Sequence, residues 1–357
     1  MLSRFADVYA ASLDARRFSS AHGISLENEQ ETLRILPTMV MMDPPDHTVY
    51  RRMVSRGFSP RNVAQIEPAL RSFVTECIAR LRESGSADVV AELARPVPCF
   101  VVALYLGVPA EDRGLFATWT EAIVQANVKG HTYGAGKALS DLYGYFSDLV
   151  ALRRRSPGDD MLSALLNAGP EGRAISTEEL LGYAFVMIAG GNDTATGLIA
   201  GACELLTDHM DQRRALIADP SLHRKAVEEL LRMTTPVQGL CRVTQEDVSI
   251  GGVVVAAGSR VMLCYGAANR DPREFGPDAE HLDITRTARR HLSFGSGVHH
   301  CLGSHAARMQ GRIVLEELLA SCPDFAVHPE AGAFADGAFV RRYESLPFVA
   351  AGGSGSA

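Results

Sequence analysis

Three features of the sequence predict a mainly α-helical domain with small β-sheets, an α+β class. Apolar residues recur at helical spacing through most of the chain before residue 245. One apolar run, 180–206, opens on a capping box and reads as a single long, deeply buried helix. A two-residue period shows itself only after residue 245.

Taken in order, residues 61–84 carry apolar side chains at 63, 66, 70, 73, 74, 77, 78 and 81, which make one helical face. Ser176-Thr177-Glu178-Glu179 is the capping box of the long helix, interrupted only by Gly190-Gly191 and Asn192-Asp193. Residues 221–233 form a further helix, closed by Thr234, Thr235 and Pro236. Segments 247–256 and 259–265 alternate around Ala257-Gly258 and are expected to pair as a hairpin. A last helix is expected to begin just after Cys301 and run to Leu319. There is no internal repeat and no interior linker rich in Pro, Gly or Ser. Residues 1–350 are therefore expected to form one domain, with 351–357 a flexible Gly/Ser tail.

The 357 residues are 46% hydrophobic and 22% charged, which suits a large core and excludes a disordered, collagenous or disulfide-scaffold chain. With 35 basic and 42 acidic residues the net charge is −7, so no field gathers nucleic acid or anionic membrane. No apolar run approaches the roughly 20 residues that cross a bilayer, and Asp7 interrupts any signal-peptide core. A cytoplasmic protein without membrane insertion is expected. Seven scattered cysteines, odd in number and free of C-x-x-C pairing, fit a reducing compartment. Six sit in apolar or helical stretches, whereas Cys301 lies among Gly, Ser and His.

The chemistry concentrates in four places. In 294–303, Phe-Gly-Ser-Gly-Val-His-His-Cys-Leu-Gly, glycines two apart let the backbone approach a flat ligand, and a helix beginning at Cys301 favours an anion there. A thiolate at that position has a lowered pKa and suits a metal. The alternatives are a buried cysteine beside a glycine turn, or a zinc site using His299, His300, Cys301 and His305, which lacks ligands from a second element. Glu229 and Arg232, three apart on a helix, decide nothing alone. Gly190, Gly191, Asp193 and Thr194 burden the middle of a buried helix, either to leave a gap beside a reaction centre or as a kink with Thr194 bonded back to Gly190. His47 and Arg51 point from one helical face, as a cationic site or as a solvated basic helix start.

The first of these stretches, Phe-Gly-x-Gly-x-His-x-Cys-x-Gly, resembles the haem-binding loop of the cytochrome P450 family. The other three precede it in family order: Asp-Pro-Pro-x-His-x-x-x-Arg at 43–51, the Gly-x-Asp-Thr stretch, and the Glu-x-x-Arg pair. The resemblance runs over nearly the whole chain, from Phe5 to Phe348. One departure is Ala195, where many members carry a second Thr or Ser. The other is the start, because members usually carry several dozen residues before the segment at 3–8, so the chain reads as starting late or as truncated. The resemblance implies haem b in a P450 fold, with a long central helix over a haem held by Cys301 as proximal iron ligand. Phe294, Gly295 and Gly303 would shape the loop; His47, Arg51, Arg242, His291 and His299 would take the propionates. Gly190 would leave room for dioxygen, with Asp193 and Thr194 relaying protons, while Glu229 and Arg232 would be structural.

The activity so implied is monooxygenation: one oxygen atom of O2 is inserted into a hydrophobic small molecule. Electrons would come from a separate ferredoxin or flavodoxin with its reductase, since no flavin or nicotinamide motif is present. The implied pocket runs over 36–41, Val186, Ala189, Val237, Gln238, Leu240 and Phe339, with Gln238 the expected polar contact. Arg289, Arg290, Arg308 and Arg312 flank the cysteine loop, as a basic docking patch or as a solvated helix face. A peroxide-driven oxidant and a non-catalytic haem or ligand-binding protein are the alternatives. A monomer is expected.

Overall fold

The computed structural model describes residues 1–26, 38–55, 57–128, 136–158, 160–166, 175–287, 290–337 and 340–350. Helices α1 (Phe5–Leu13), α2 (Asp46–Ser55), α3 (Pro60–Gln65), α4 (Glu67–Ser84), α5 (Pro96–Tyr105), α6 (Arg113–Val128), α7 (Gly136–Arg155) and α8 (Met161–Leu166) precede the 32-residue α9 (Thr177–Asp208). Then come α10 (Met210–Ala218), α11 (His223–Thr234), α12 (Tyr265–Ala268), α13 (Pro272–Phe275) and α14 (Ser304–Ser321). The helix expected over 61–84 is two, because Pro68 stands in the first turn of α4 and the chain breaks at Ile66. The capping box of α9 is formed: the Glu179 amide donates to Ser176 Oγ at 3.2 Å and the Ser176 amide donates to Glu179 Oε2 at 2.9 Å.

The strands are β1 (Phe18–Ser19), β2 (Ser86–Asp88), β3 (Leu240–Thr244), β4 (Val248–Ile250), β5 (Val253–Val255), β6 (Arg260–Leu263), β7 (Ala326–Val327), β8 (Ala333–Phe334), β9 (Tyr343–Ser345) and β10 (Pro347–Val349). They form sheets β1-β3-β6 and β2-β10-β7 and hairpins β4-β5 and β8-β9. The hairpin expected around Ala257-Gly258 is not the one made. Gly251 and Gly252, both at positive φ, turn β4 directly onto β5. That releases β6 to pair antiparallel with β3, placing Arg242 opposite Val261.

The long helix α9 lies in the core, against Val227 and Leu230 of α11 and Val314, Leu315 and Leu318 of α14 through its own Leu198, Ile199 and Cys203. No described helix is long and apolar enough to cross a membrane. The second cluster joins Phe5 and Val8 of α1 to Leu263, Tyr265 and Phe275.

One buried cation ties these layers together. Arg232 is fully buried, and its guanidinium donates to both Glu229 oxygens (2.8 and 2.6 Å) and to the carbonyls of Asn269, Ala279 and His281 (2.8, 2.7 and 3.1 Å). Arg286 adds a second contact to Glu229 at 3.1 Å. Replacing Arg232 by Leu strands three carbonyls and leaves Glu229 only Arg286 and the Asp283 amide, and is expected to lower stability by about 3–5 kcal/mol in chemical denaturation.

Candidate functional site

The cysteine loop is closed by its own backbone. The Cys301 amide donates to the Phe294 carbonyl at 2.8 Å, and Arg308 of α14 lies 4.5 Å over the Phe294 ring. Gly297, at φ 70°, is required sterically as well, since a Cβ there would stand 2.3 Å from the Ser12 carbonyl of α1. Helix α14 begins at Ser304 rather than at Cys301, so the thiol is not in its first turn. Two expectations are corrected together: burial pushes the Cys301 thiol above its usual value, opposed by the Gly303 amide and by the charges of Arg51 and Arg308.

Helix α2 presents His47 and Arg51 on one face toward this loop. The His47 ring is 4.4 Å from that of His299, and Arg51 Nη2 donates to the His300 carbonyl at 2.6 Å. Arg242, buried on β3, donates to the Cys241 carbonyl at 2.7 Å. Among the described residues no carboxylate pairs with Arg51 or Arg242, and the buried His47 Nδ1 and His299 Nε2 find no partner. Burial, reinforced by the charges of Arg242, His47 and Arg51, pushes His299 down to about 3. His47 is lowered by burial and by Arg51, against Asp43. Two arginines and two imidazoles thus converge on one corner with no carboxylate paired to any of them among the described residues, an arrangement that calls for an anion.

His291 does not join them, contrary to expectation. Its Nε2 is 3.1 Å from Glu228 Oε2 and its Nδ1 accepts from the Ser293 amide at 3.2 Å. The arginines of the expected basic patch are offset too: Arg290 meets Glu274 at 3.5 Å, Arg308 meets Glu228 at 2.6 Å and Arg312 meets Glu67 at 2.8 Å. Arg289 lies outside the described residues. A cleft of about 300 Å³ opens beside the loop between Lys225, Arg290, His300 and Arg308.

Helix α9 supplies the facing wall. It is buried over most of its length, yet Val186, Ala189, Gly190 and Thr194 are partly or fully exposed, and Val186, Gly190 and Thr194 stand four residues apart on one face. A Cβ on Gly190 would meet nothing within 4 Å, so the helix borders open space there. Thr194 Oγ1 donates to the Gly190 carbonyl at 2.8 Å, while the Asp193 carboxylate turns to Arg342, whose Nε is 2.6 Å away. Acid and alcohol are neighbours in sequence but point to different partners. Burial raises Asp193 to about 6 against the pull of Arg342.

Val237 bridges Val340, and the Arg341 amide donates to the Pro236 carbonyl at 2.7 Å, so two expected wall segments meet. They press on α9 at Gly197, where a Cβ would stand 2.7 Å from the Arg341 carbonyl and 3.1 Å from Pro236 Cβ. Leu240 opens β3 opposite Leu263. Gln238 is not the free polar contact expected, because its Nε2 donates to the Thr235 carbonyl at 2.6 Å and its Oε1 lies against Gly266. Phe339 and residues 36 and 37 lie outside the described residues. Two polar residues escaped the sequence reading. Glu228 was signalled by its place beside Glu229 on a strongly amphipathic helix; Arg342 carried no signal, since its partner is 149 positions away.

Haem is the group implied by the loop motif, and these residues fit it: a soft sulfur donor on a glycine loop, two arginines without a paired carboxylate and two imidazoles able to hydrogen-bond two propionates, and open space along α9. The zinc alternative is not assembled, as no group of three His, Cys, Asp or Glu among the described residues is placed to hold a metal ion.

The comparisons agree with this geometry. A family model described as Cytochrome P450 matches residues 150–330. The chain is 50% identical over 354 residues to "Cytochrome P450 130" of Mycobacterium tuberculosis, covering 98% of this chain and 87% of that one. It is 39% identical over 331 residues to the "Vitamin D(3) 25-hydroxylase" of Pseudonocardia autotrophica, covering 92% and 81%. Among solved structures, Mycobacterium marinum cytochrome P450 CYP268A2 in complex with pseudoionone superposes with a TM-score of 0.90 at 33% identity, covering 98% and 86%.

The two glycines of α9 separate space from packing. Gly190→Ala is expected to raise stability in urea denaturation by about 0.5–1 kcal/mol through helix propensity. Gly197→Ala is expected to lower it by about 1–3 kcal/mol through overpacking.

Proposed function

The chain belongs to the cytochrome P450 family and is a haem-dependent monooxygenase, and on that premise we propose the roles of its residues, its substrate class and its electron source. Cys301 Sγ holds the iron, on a loop shaped by Phe294, Gly295 and Gly303. His47, Arg51, Arg242 and His299 take the propionates. The observation that carries this reading is the corner beside the cysteine loop where Arg51 and Arg242, neither paired with a carboxylate, meet the imidazoles of His47 and His299.

When bound, haem supplies the chemistry that reduces O2 with two electrons and two protons, one oxygen atom going to substrate and the other to water. The side chains do the rest. Gly190 leaves room for dioxygen. Thr194 presents a hydroxyl at that opening and exchanges its bond to Gly190 for one to the reacting oxygen. Asp193, titrating near neutral pH, replaces the proton that the hydroxyl gives up. Glu229 and Arg232 hold the core and touch no substrate.

Val186, Ala189, Val237 and Leu240 offer an apolar wall, which suits a hydrophobic small molecule such as a fatty acid, terpenoid, steroid or polyketide. The vitamin D(3) in one relative's name and the pseudoionone bound by another support an apolar ligand. Electrons come from a separate ferredoxin or flavodoxin with its reductase, docking at the cleft that contains Arg290. Free cysteines throughout support a reducing, cytoplasmic setting, and the working unit is a monomer. The separation of Asp193 from Thr194 favours a second reading, peroxide-driven turnover.

Three results are expected. Cys301→Ser, reconstituted with hemin, loses the Soret and carbon monoxide spectra of a thiolate-ligated haem; spectra unchanged from the parent overturn the assignment. Thr194→Ala diverts electrons from product to peroxide in a ferredoxin-fed assay, whereas peroxide-driven turnover would be unaffected. Arg290→Glu weakens turnover with an acidic ferredoxin and flattens its dependence on salt.

A further inference from the structure

The Asp193 carboxylate is one half of a buried ion pair whose other half comes from a distant segment. Asp193 is 7% exposed and Arg342 is 3% exposed. Nε of Arg342 lies 2.6 Å from Asp193 Oδ1, but its N–H is not aimed at the oxygen, so the contact is charge on charge. Nη1 reaches only the carbonyl of Tyr343, at 3.3 Å, and Nη2 has no partner among the described residues. Each ion is thus the other's closest compensation.

The guanidinium is placed by backbone. Residue 340 is bridged to 237, the amide of 341 is bonded to Pro236, and β9 follows directly. Two other charged groups bear on Asp193 from elements packed against α9: Glu121 of α6 and Arg95, which precedes α5. They pair with each other at 3.2 Å with a third of each side chain exposed, so their opposite effects largely offset and are screened by solvent.

We infer that Arg342 is a positioning residue for the reaction, keeping the Asp193 carboxyl ionised and turned away from Thr194, and so sets the pH range in which that acid hands on a proton. The inference rests on the reading of Asp193 as the proton source. The sign follows from the geometry: burial favours the protonated acid and the guanidinium favours the carboxylate. Removing the cation therefore moves the titration upward and leaves Asp193 protonated at neutral pH. Because the contact depends on charge rather than on a fork of hydrogen bonds, lysine is expected to substitute for arginine.

The test is an infrared difference titration of the ferric, haem-loaded protein between pH 4 and 9, with the Asp193 band identified by its loss in Asp193→Asn. Arg342→Gln is expected to raise the midpoint by about one pH unit or more, a tenfold gain in proton affinity, while Arg342→Lys stays close to the parent. An unchanged midpoint in a folded Arg342→Gln protein overturns the inference. A shifted band with an unmoved pH profile of product formed per electron leaves only the ion pair standing: it removes Asp193 as the proton source and overturns the role of Arg342 in the reaction. If Arg342→Gln and Arg342→Leu both fail to fold, rescue by adding Asp193→Asn supports the pairing and failure of that rescue counts against it.

Discussion

The geometry of the cysteine loop depends on a guanidinium that never meets solvent. All the donor capacity of Arg232 is used, on one carboxylate and three carbonyls, and one of those carbonyls belongs to Asn269. The side chain of Asn269 passes the constraint on: its amide donates to Thr235 Oγ1 and Ser293 Oγ, and its oxygen accepts from the Leu292 amide. Ser293 in turn donates to the Leu231 carbonyl. Helix α11 and the segment leading into Cys301 are therefore held in one buried polar chain. Such a network specifies one arrangement because each member left unpaired in a low-dielectric interior is costly.

Charge is distributed with the opposite logic at the site and away from it. Arg71 is shared between Glu67, Glu316 and Glu317, Arg312 between Glu67 and Glu316, and Arg286 between Glu229 and Asp278. Around the cysteine loop, Arg51, Arg242, His47 and His299 converge with no carboxylate paired to any of them among the described residues. Arg51 and Arg242, without a paired carboxylate and beside two imidazoles, make that corner suited to an anionic ligand, and haem is such a ligand. The same balance explains the loop thiol: burial alone works against its ionisation, and Arg51 and Arg308 oppose that effect.

The parts of the molecule legible in the sequence are those written locally. The capping box at Ser176 and the apolar run behind it mark α9, and the four-residue spacing of His47 and Arg51 places both on one face. What failed was decided at a distance or by a competing local signal. Pro68 breaks a helix that the apolar spacing alone would continue. Gly251-Gly252 outcompetes Ala257-Gly258 as the turn between β4 and β5. Gln238 and His291 look available in sequence, but Thr235, Glu228 and Ser293 claim their polar atoms once the chain is folded. Arg342 could not be foreseen, because nothing in its neighbourhood points to a carboxylate on α9.

The close approach at Gly197 has an implication for biogenesis. On a ribosome the long helix and the cysteine loop emerge well before residues 340–342, which lean on that glycine and bring Arg342 to Asp193. Until that stretch is translated, the acid on the helix lacks its counter-ion and one side of the chamber is unfinished. The buried pair on the long helix therefore forms late, when the C-terminal segment docks.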